Sequence, residues 1–168
     1  TTLVRSHADD QAETVLLQLL RGSGTQGLAA MPSFKAFYQG YHWRPFLQHP
    51  RSLIQELATH NHLAWVEDPT NVLLNFDRNY IRHSILPLIA KRWPHAVQKI
   101  NQAASWQALY AEDLKERLSL LYLNTQAAIS HLEVHPAFAP KTAKKYCFPL
   151  KPYLALKPFL QKELLRYW

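Results

Sequence analysis

The sequence predicts an α/β half followed by a mostly helical half, on three observations. Thr1-Thr2-Leu3-Val4 is short and β-branched, and a polar turn separates it from an apolar helical run, Val15 to Leu20. From Asn79 onward, apolar residues recur at helical spacing. Charge divides at the same place: five Lys/Arg stand against seven Asp/Glu through Asp77, and fourteen against five from Arg78 on.

At 168 residues, 48% hydrophobic and 18% charged, the chain has the composition of a globular protein with one or two cores. No apolar run approaches the ~20 residues that span a bilayer, and no charged-then-apolar leader opens the chain. No membrane partner is expected. Cys147 is the single cysteine and has no internal partner, which fits a reducing compartment, so the cytoplasm is the expected location. A basic half joined to an acidic one suits a polyanion held beside a site, although charge alone also describes an ordinary basic surface.

The first strand runs into Ser6-His7-Ala8-Asp9-Asp10-Gln11-Ala12-Glu13-Thr14. In an open α/β sheet, ligands sit at the carboxyl ends of strands. Asp10 and Glu13, three apart, read as a capping box. That leaves His7 and Asp9 unexplained. Adjacent carboxylates repel one another unless a cation or proton relieves them, and magnesium is the expected relief at Asp9, Asp10 and Glu13. The spacing alone leaves cap and site both open.

Further along, Arg21-Gly22-Ser23-Gly24 follows the helix, with Gly22 as its C-cap and Arg21 a cation at its C-terminus. Ala36 to Phe46 is aromatic and extended, a hairpin or edge strand with Gly40 at its turn. Pro50 starts a helix that ends at His60-Asn61-His62, read as solvated loop histidines. Leu63 to Val66 suits a short strand, and Asp68-Pro69 forces a turn. Arg78 and Arg82 lie four apart, so on a helix they share one face, and two guanidiniums side by side suit phosphate. Pro87 marks a kink. Pro94 opens the longest helical pattern, His95 to Leu123, whereas Lys141, Lys144, Lys145 and Tyr146 read as a solvated loop. A last helix starts at Lys157-Pro158-Phe159.

Several of these strings resemble one family. His7-Ala8-Asp9-Asp10-Gln11-Ala12-Glu13-Thr14 with Leu20-Arg21-Gly22-Ser23-Gly24 looks like the second motif of the PP-loop ATP pyrophosphatases, and within them of the tRNA(Ile)-lysidine synthetases. Arg44-Pro45-Phe46 is similar to their Arg-Pro-Leu, and Glu67-Asp68-Pro69-Thr70-Asn71 to a characteristic string. Arg78-Asn79-Tyr80-Ile81-Arg82 is similar to their Arg-Asn-x-x-Arg. Family members often carry a second His where this chain has Ser6.

The resemblance implies a Rossmann-like PP-loop domain, adenine nucleotide alpha hydrolase-like, whose C-terminal part is residues 1–74. A helical tRNA-binding domain, cut short, would fill residues 75–168. The family's Ser-Gly-Gly-x-Asp-Ser loop has no counterpart ahead of His7. The chain therefore reads as a fragment lacking the N-terminal PP-loop, inactive alone. By resemblance, ATP and Mg2+ are the cofactors. L-lysine and a tRNA(Ile) with a CAU anticodon are the partners, with the oligomeric state left between monomer and homodimer. His7, Asp10, Glu13 and Arg78 would be catalytic; His7, Arg21, Gly22, Ser23 and Gly24 would meet the nucleotide. Arg44, Glu67, Asp68, Asn71, Arg78, Asn79 and Arg82 would bind substrate. A non-catalytic tRNA-binding module and a tRNA thiolase are the other readings, the latter disfavoured by a lone cysteine.

Overall fold

The structure, a computed structural model, describes residues 2–3, 5–66, 74–130 and 153–167. It divides into two compact units, Thr1–Ala111 and Glu112–Trp168.

In the first unit, strand β1 (Thr2–Leu3) leads into helix α1 (Ala8–Leu20) and the short α2 (Thr25–Leu28). The chain then forms a hairpin of β2 (Phe34–Phe37) and β3 (Gly40–Trp43). The sheet order is β1-β3-β2. β1 lies parallel to β3, with Thr2 opposite His42 and Leu3 opposite Trp43, so α1 sits in a crossover between parallel strands. β2 and β3 pair antiparallel from Phe34 opposite Trp43 to Phe37 opposite Gly40. The sequence puts Gly40 at the hairpin turn; instead Gly40 opens β3, and Tyr38 turns the chain at φ 51°. Stacking of Phe34 on Tyr41, centroids 4.7 Å apart, and of Phe37 on His42 at 4.0 Å supports that register.

Pro50 caps α3 (Arg51–His60) as its sequence position predicts. After it come α4 (Asp77–Tyr80), a π-helical turn (Ile81–Ile85) and α5 (Leu86–Arg92). The kink expected at Pro87 takes the form of that π-turn. A proline in an unbroken α-helix loses its own hydrogen bond and crowds the carbonyl four residues back, and a wider turn just upstream relieves both.

Helix α6 (Ala96–Ser130) runs 35 residues, past the Leu123 at which the apolar pattern stops. The core of the first unit joins Ala12 of α1 to Ile81 and Leu86, with Leu16, Leu17, Ile85, Val97 and Ile100 against them. Asn101 clamps α6 to the start of α1 by donating from Nδ2 to the Ala8 carbonyl at 2.8 Å. Because α4, the π-turn and α5 bury their apolar face on α1, the first unit continues to Ala111, beyond the 74/75 boundary read from sequence.

In the second unit, α7 (Pro158–Tyr167) buries Leu164 completely, and Leu118 is buried on α6. Gln161 holds the turn before α7 by donating to the carbonyls of Tyr153 and Leu156. Lys141, Lys144, Lys145, Tyr146 and Cys147 lie outside the described residues. Among the described residues, no helix is long and apolar enough to cross a membrane.

Candidate functional site

The site begins with the way α1 starts. Helices need partners for their first amides, and here His7 is the N-cap. The Asp10 amide donates to His7 Nδ1 at 3.4 Å, and the His7 amide donates to Asp10 Oδ2 at 3.0 Å. The capping box is therefore His7 with Asp10, one turn earlier than the expected Asp10 with Glu13. A helix beginning at Ala8 rather than past Asp10 turns Glu13 inward, where it is fully buried.

A buried carboxylate is costly unless paired and hydrogen-bonded. Arg78 Nε donates to Glu13 Oε2 at 2.8 Å; Arg82 donates from Nε to Glu13 Oε1 at 2.7 Å and from Nη2 to Oε2 at 3.0 Å. Arg82 Nη2 also reaches Asp10 Oδ1 at 2.9 Å. The Arg78 Nη2 reaches the Asp10 carbonyl at 3.1 Å and Thr14 Oγ1 at 3.4 Å. The Glu13 carboxylate holds the Arg82 guanidinium above its ordinary pKa against the opposing effect of burial. So the two arginines share one face as the spacing predicts, and that face meets two of the three acids.

Asp9 has a different environment. Its Oδ2 accepts from the Arg51 amide at the first turn of α3 at 2.8 Å and lies 3.5 Å from His7 Nδ1. The His7 hydrogen bond, then the Arg51 amide, hold the Asp9 carboxyl below its ordinary value despite partial burial. His7 Nδ1 faces both an amide and a carboxylate. The neutral ring can accept from the first, and the protonated ring can donate to the second.

This arrangement corrects the magnesium expectation. Oxygens of Asp10 and Glu13 are taken by guanidinium and amide donors, and Asp9 is turned to α3. Among the described residues, no group of three or more His, Cys, Asp or Glu could hold a metal ion. Electrostatic relief of the acidic cluster comes from Arg78 and Arg82, so the trio does not fit a magnesium site.

The Arg21–Gly24 loop is not brought to this cluster. It lies at the far end of α1, which at 1.5 Å per residue puts it about 20 Å from His7. Gly22 takes φ 68°, and a Schellman motif closes the helix: the Gly22 amide donates to Leu19 O and the Ser23 amide to Gln18 O, both at 3.0 Å. Those two amides, expected to meet a nucleotide, are used within the fold. Arg21 is exposed and Gly24 caps α2.

Arg44 follows β3 and donates from Nη1 to the Pro32 carbonyl at 3.0 Å; none of its described hydrogen bonds reaches the cluster. Asn79 is buried. Glu67, Asp68 and Asn71 lie outside the described residues. Sequence reasoning missed Thr14, the Arg51 amide and Asn101. The first is a hydroxyl one residue past Glu13, but nothing in local pattern announces the other two.

A family model described as the PP-loop domain matches residues 1–89. The chain belongs to the PP-loop family. The match corrects the expectation of a chain lacking the PP-loop, since residues 1–89 are themselves recognised as that domain. The matched range takes in the first strand, the His7–Glu13 segment and the Arg78–Arg82 segment. Among PP-loop relatives, the chain is 42% identical over 163 residues to a tRNA(Ile)-lysidine synthase of Pseudomonas putida, covering 96% of this chain and 36% of the relative. It is 39% identical to that of Coxiella burnetii over 99% of this chain and 34% of the relative, and 38% identical to that of Pseudomonas aeruginosa over 99% and 36%. The chain thus spans about a third of the length of these relatives.

Proposed function

We propose that this chain is part of a cytoplasmic tRNA(Ile)-lysidine synthetase, its first half belonging to a Rossmann-like nucleotide-binding domain. In that reaction, the carbonyl oxygen of the wobble cytidine in a CAU anticodon attacks the α-phosphorus of ATP, and pyrophosphate leaves. The lysine ε-amine then attacks the activated ring carbon, AMP departs with the oxygen, and lysidine is formed. The observation that carries the reading is the meeting of two strings 65 and more residues apart, His7–Glu13 and Arg78–Arg82, in one ion-paired cluster.

Division of labour follows from exposure and pairing. Glu13, fully buried, and Arg82, 20% exposed, form the scaffold of the cluster. Arg78 is 44% exposed and makes a single bond to Glu13, so it is the guanidinium that meets phosphate charge as the adenylate forms. His7 sits beside the nucleotide. Asp9 keeps the most open carboxylate of the three, at 35%, and its lowered pKa keeps it ionised to receive the lysine ammonium. Glu67, Asp68, Asn71 and Arg44 are proposed to contribute to substrate binding from the loops around this cluster.

A chimera tests this directly. Residues of the Pseudomonas putida enzyme that align with this chain are replaced by it, and ATP-dependent incorporation of labelled lysine into a tRNA(Ile) transcript is measured. Incorporation that is lost on Arg78→Ala, in a protein that remains folded, is the expected result. A folded chimera that binds the transcript but transfers no lysine would favour a tRNA-binding module instead.

A further inference from the structure

We propose that the groove at the junction of α5 and α6 holds one unpaired nucleotide of an RNA strand, its base stacked on Trp93 and its phosphate between Arg92 and Lys99. The groove encloses ≈ 460 Å³ and is lined by Ile89, Arg92, Trp93, Pro94, His95, Ala96, Lys99 and Ile100. Among the described residues, no carboxylate lines it. An arginine, a lysine and a histidine surround an apolar floor, which suits a flat aromatic ring carrying negative charge. Trp93 is 62% exposed, and its backbone leaves the helix at φ −128°, ψ 87°, so the indole is not part of the core of the unit.

Lys99 donates to Gln102 Oε1 at 3.2 Å, a neutral partner that leaves its charge uncompensated, and no ion pair to Arg92, His95 or Lys99 occurs among the described residues. The first turn of α6 adds the positive end of a long helix dipole. Groove and cluster belong to the same compact unit: Ile100 lines the groove, and Asn101 donates to the Ala8 carbonyl at the start of α1. This inference rests on the RNA-directed reading above and adds the place where the strand is gripped.

The test uses the full chain and a fluorescently labelled single-stranded RNA heptamer, with binding read by anisotropy at two salt concentrations. Trp93→Ala is expected to weaken binding about 5- to 150-fold, the factor corresponding to one stacked base. Trp93→Phe, which keeps an aromatic face, should stay within a few-fold of the parent. Arg92→Ala with Lys99→Ala should flatten the logarithmic salt dependence by about 0.7 for each phosphate no longer neutralised. Circular dichroism checks that each variant keeps its helices. The proposal is overturned if the parent fails to bind the heptamer, or if Trp93→Ala binds as the parent does. It is likewise overturned if an RNA duplex or inorganic phosphate displaces the heptamer at equal phosphate concentration. An apolar groove covered by polypeptide would give the first of these results. Failure of lysine transfer in the chimera with heptamer binding intact would instead count against the synthetase reading alone.

Discussion

The two ends of α1 carry equally suggestive sequence, yet the structure treats them differently. At the start, His7, Asp9, Asp10 and Glu13 are each held by a partner distant in the chain or by one another: Glu13 by Arg78 and Arg82, Asp9 by the Arg51 amide. At the end, the bonds of Arg21 to Gly24 are local among the described residues, and the glycine is there for its backbone angle. Long-range pairing of buried charge marks a place where the fold is built around side-chain chemistry. Local capping marks a place where the chain merely has to turn. A motif string does not distinguish the two; the partners do.

The largest expected effect lies at the first end. Glu13→Ala removes the carboxylate that two guanidiniums share inside the protein, and breaking a buried pair from one side costs about 3–5 kcal/mol. Urea denaturation should place the variant at or below the limit of stable folding. A loss under about 1 kcal/mol would mean that Glu13 is solvated in solution and that the two ends of α1 do not differ in kind.

Next in size is the contrast within the arginine pair. Arg82→Lys keeps the charge but loses the planar fork that spans Asp10 and Glu13, and about 2 kcal/mol of stability should go with it. Arg78→Ala, more exposed, should cost about 1 kcal/mol or less while abolishing lysine transfer in the chimera. Should the order of stabilities reverse, Arg78 is the structural member and its proposed role at the phosphates fails.

Sequence legibility follows the same division. Features set by neighbours were readable: Pro50 at a helix start, Gly22 past a helix end, the aromatic hairpin, the arginines sharing a face. What went astray depended on register or distance. A one-turn error in the start of α1 turned Glu13 from a cap into a buried anchor, and with it magnesium gave way to guanidinium. Pro87 announced a disruption, yet only packing of Ile81 and Leu86 against Ala12 makes a π-turn the form it takes. The burial of Asn79, between two arginines that reach the cluster, is likewise set by packing and not by its neighbours in the string.

At the second end, Gly22→Ala should cost about 1 kcal/mol, because φ 68° is reached by glycine without a Cβ clash and by alanine with one. There is open space around a Cβ at that position, so the effect comes from the backbone alone. Lysine transfer in the chimera should be unchanged once stability is matched. A selective rise in the ATP requirement would give the loop back its nucleotide role.

The smallest effect is the most specific. The Asp9 carboxyl has a folded pKa lowered from 3.8, so its contribution is fully present above that value and disappears as pH falls through the lower folded value. Asp9→Asn keeps an oxygen for the Arg51 amide but loses the charge. The stability difference between parent and variant, under about 1 kcal/mol for a side chain this open, should hold steady from neutrality down to about pH 4 and then shrink towards zero. Repeating the pair in a His7→Ala background should reduce the difference, since the imidazole is the first cause of the lowered value. A parent less stable than Asp9→Asn at neutrality, with the deficit closing on acidification, would place the charge of Asp9 on the side of repulsion from Asp10 rather than attraction to His7. The start of α1 would then be held by Arg78 and Arg82 against its own acids, with Asp9 the member that strains it.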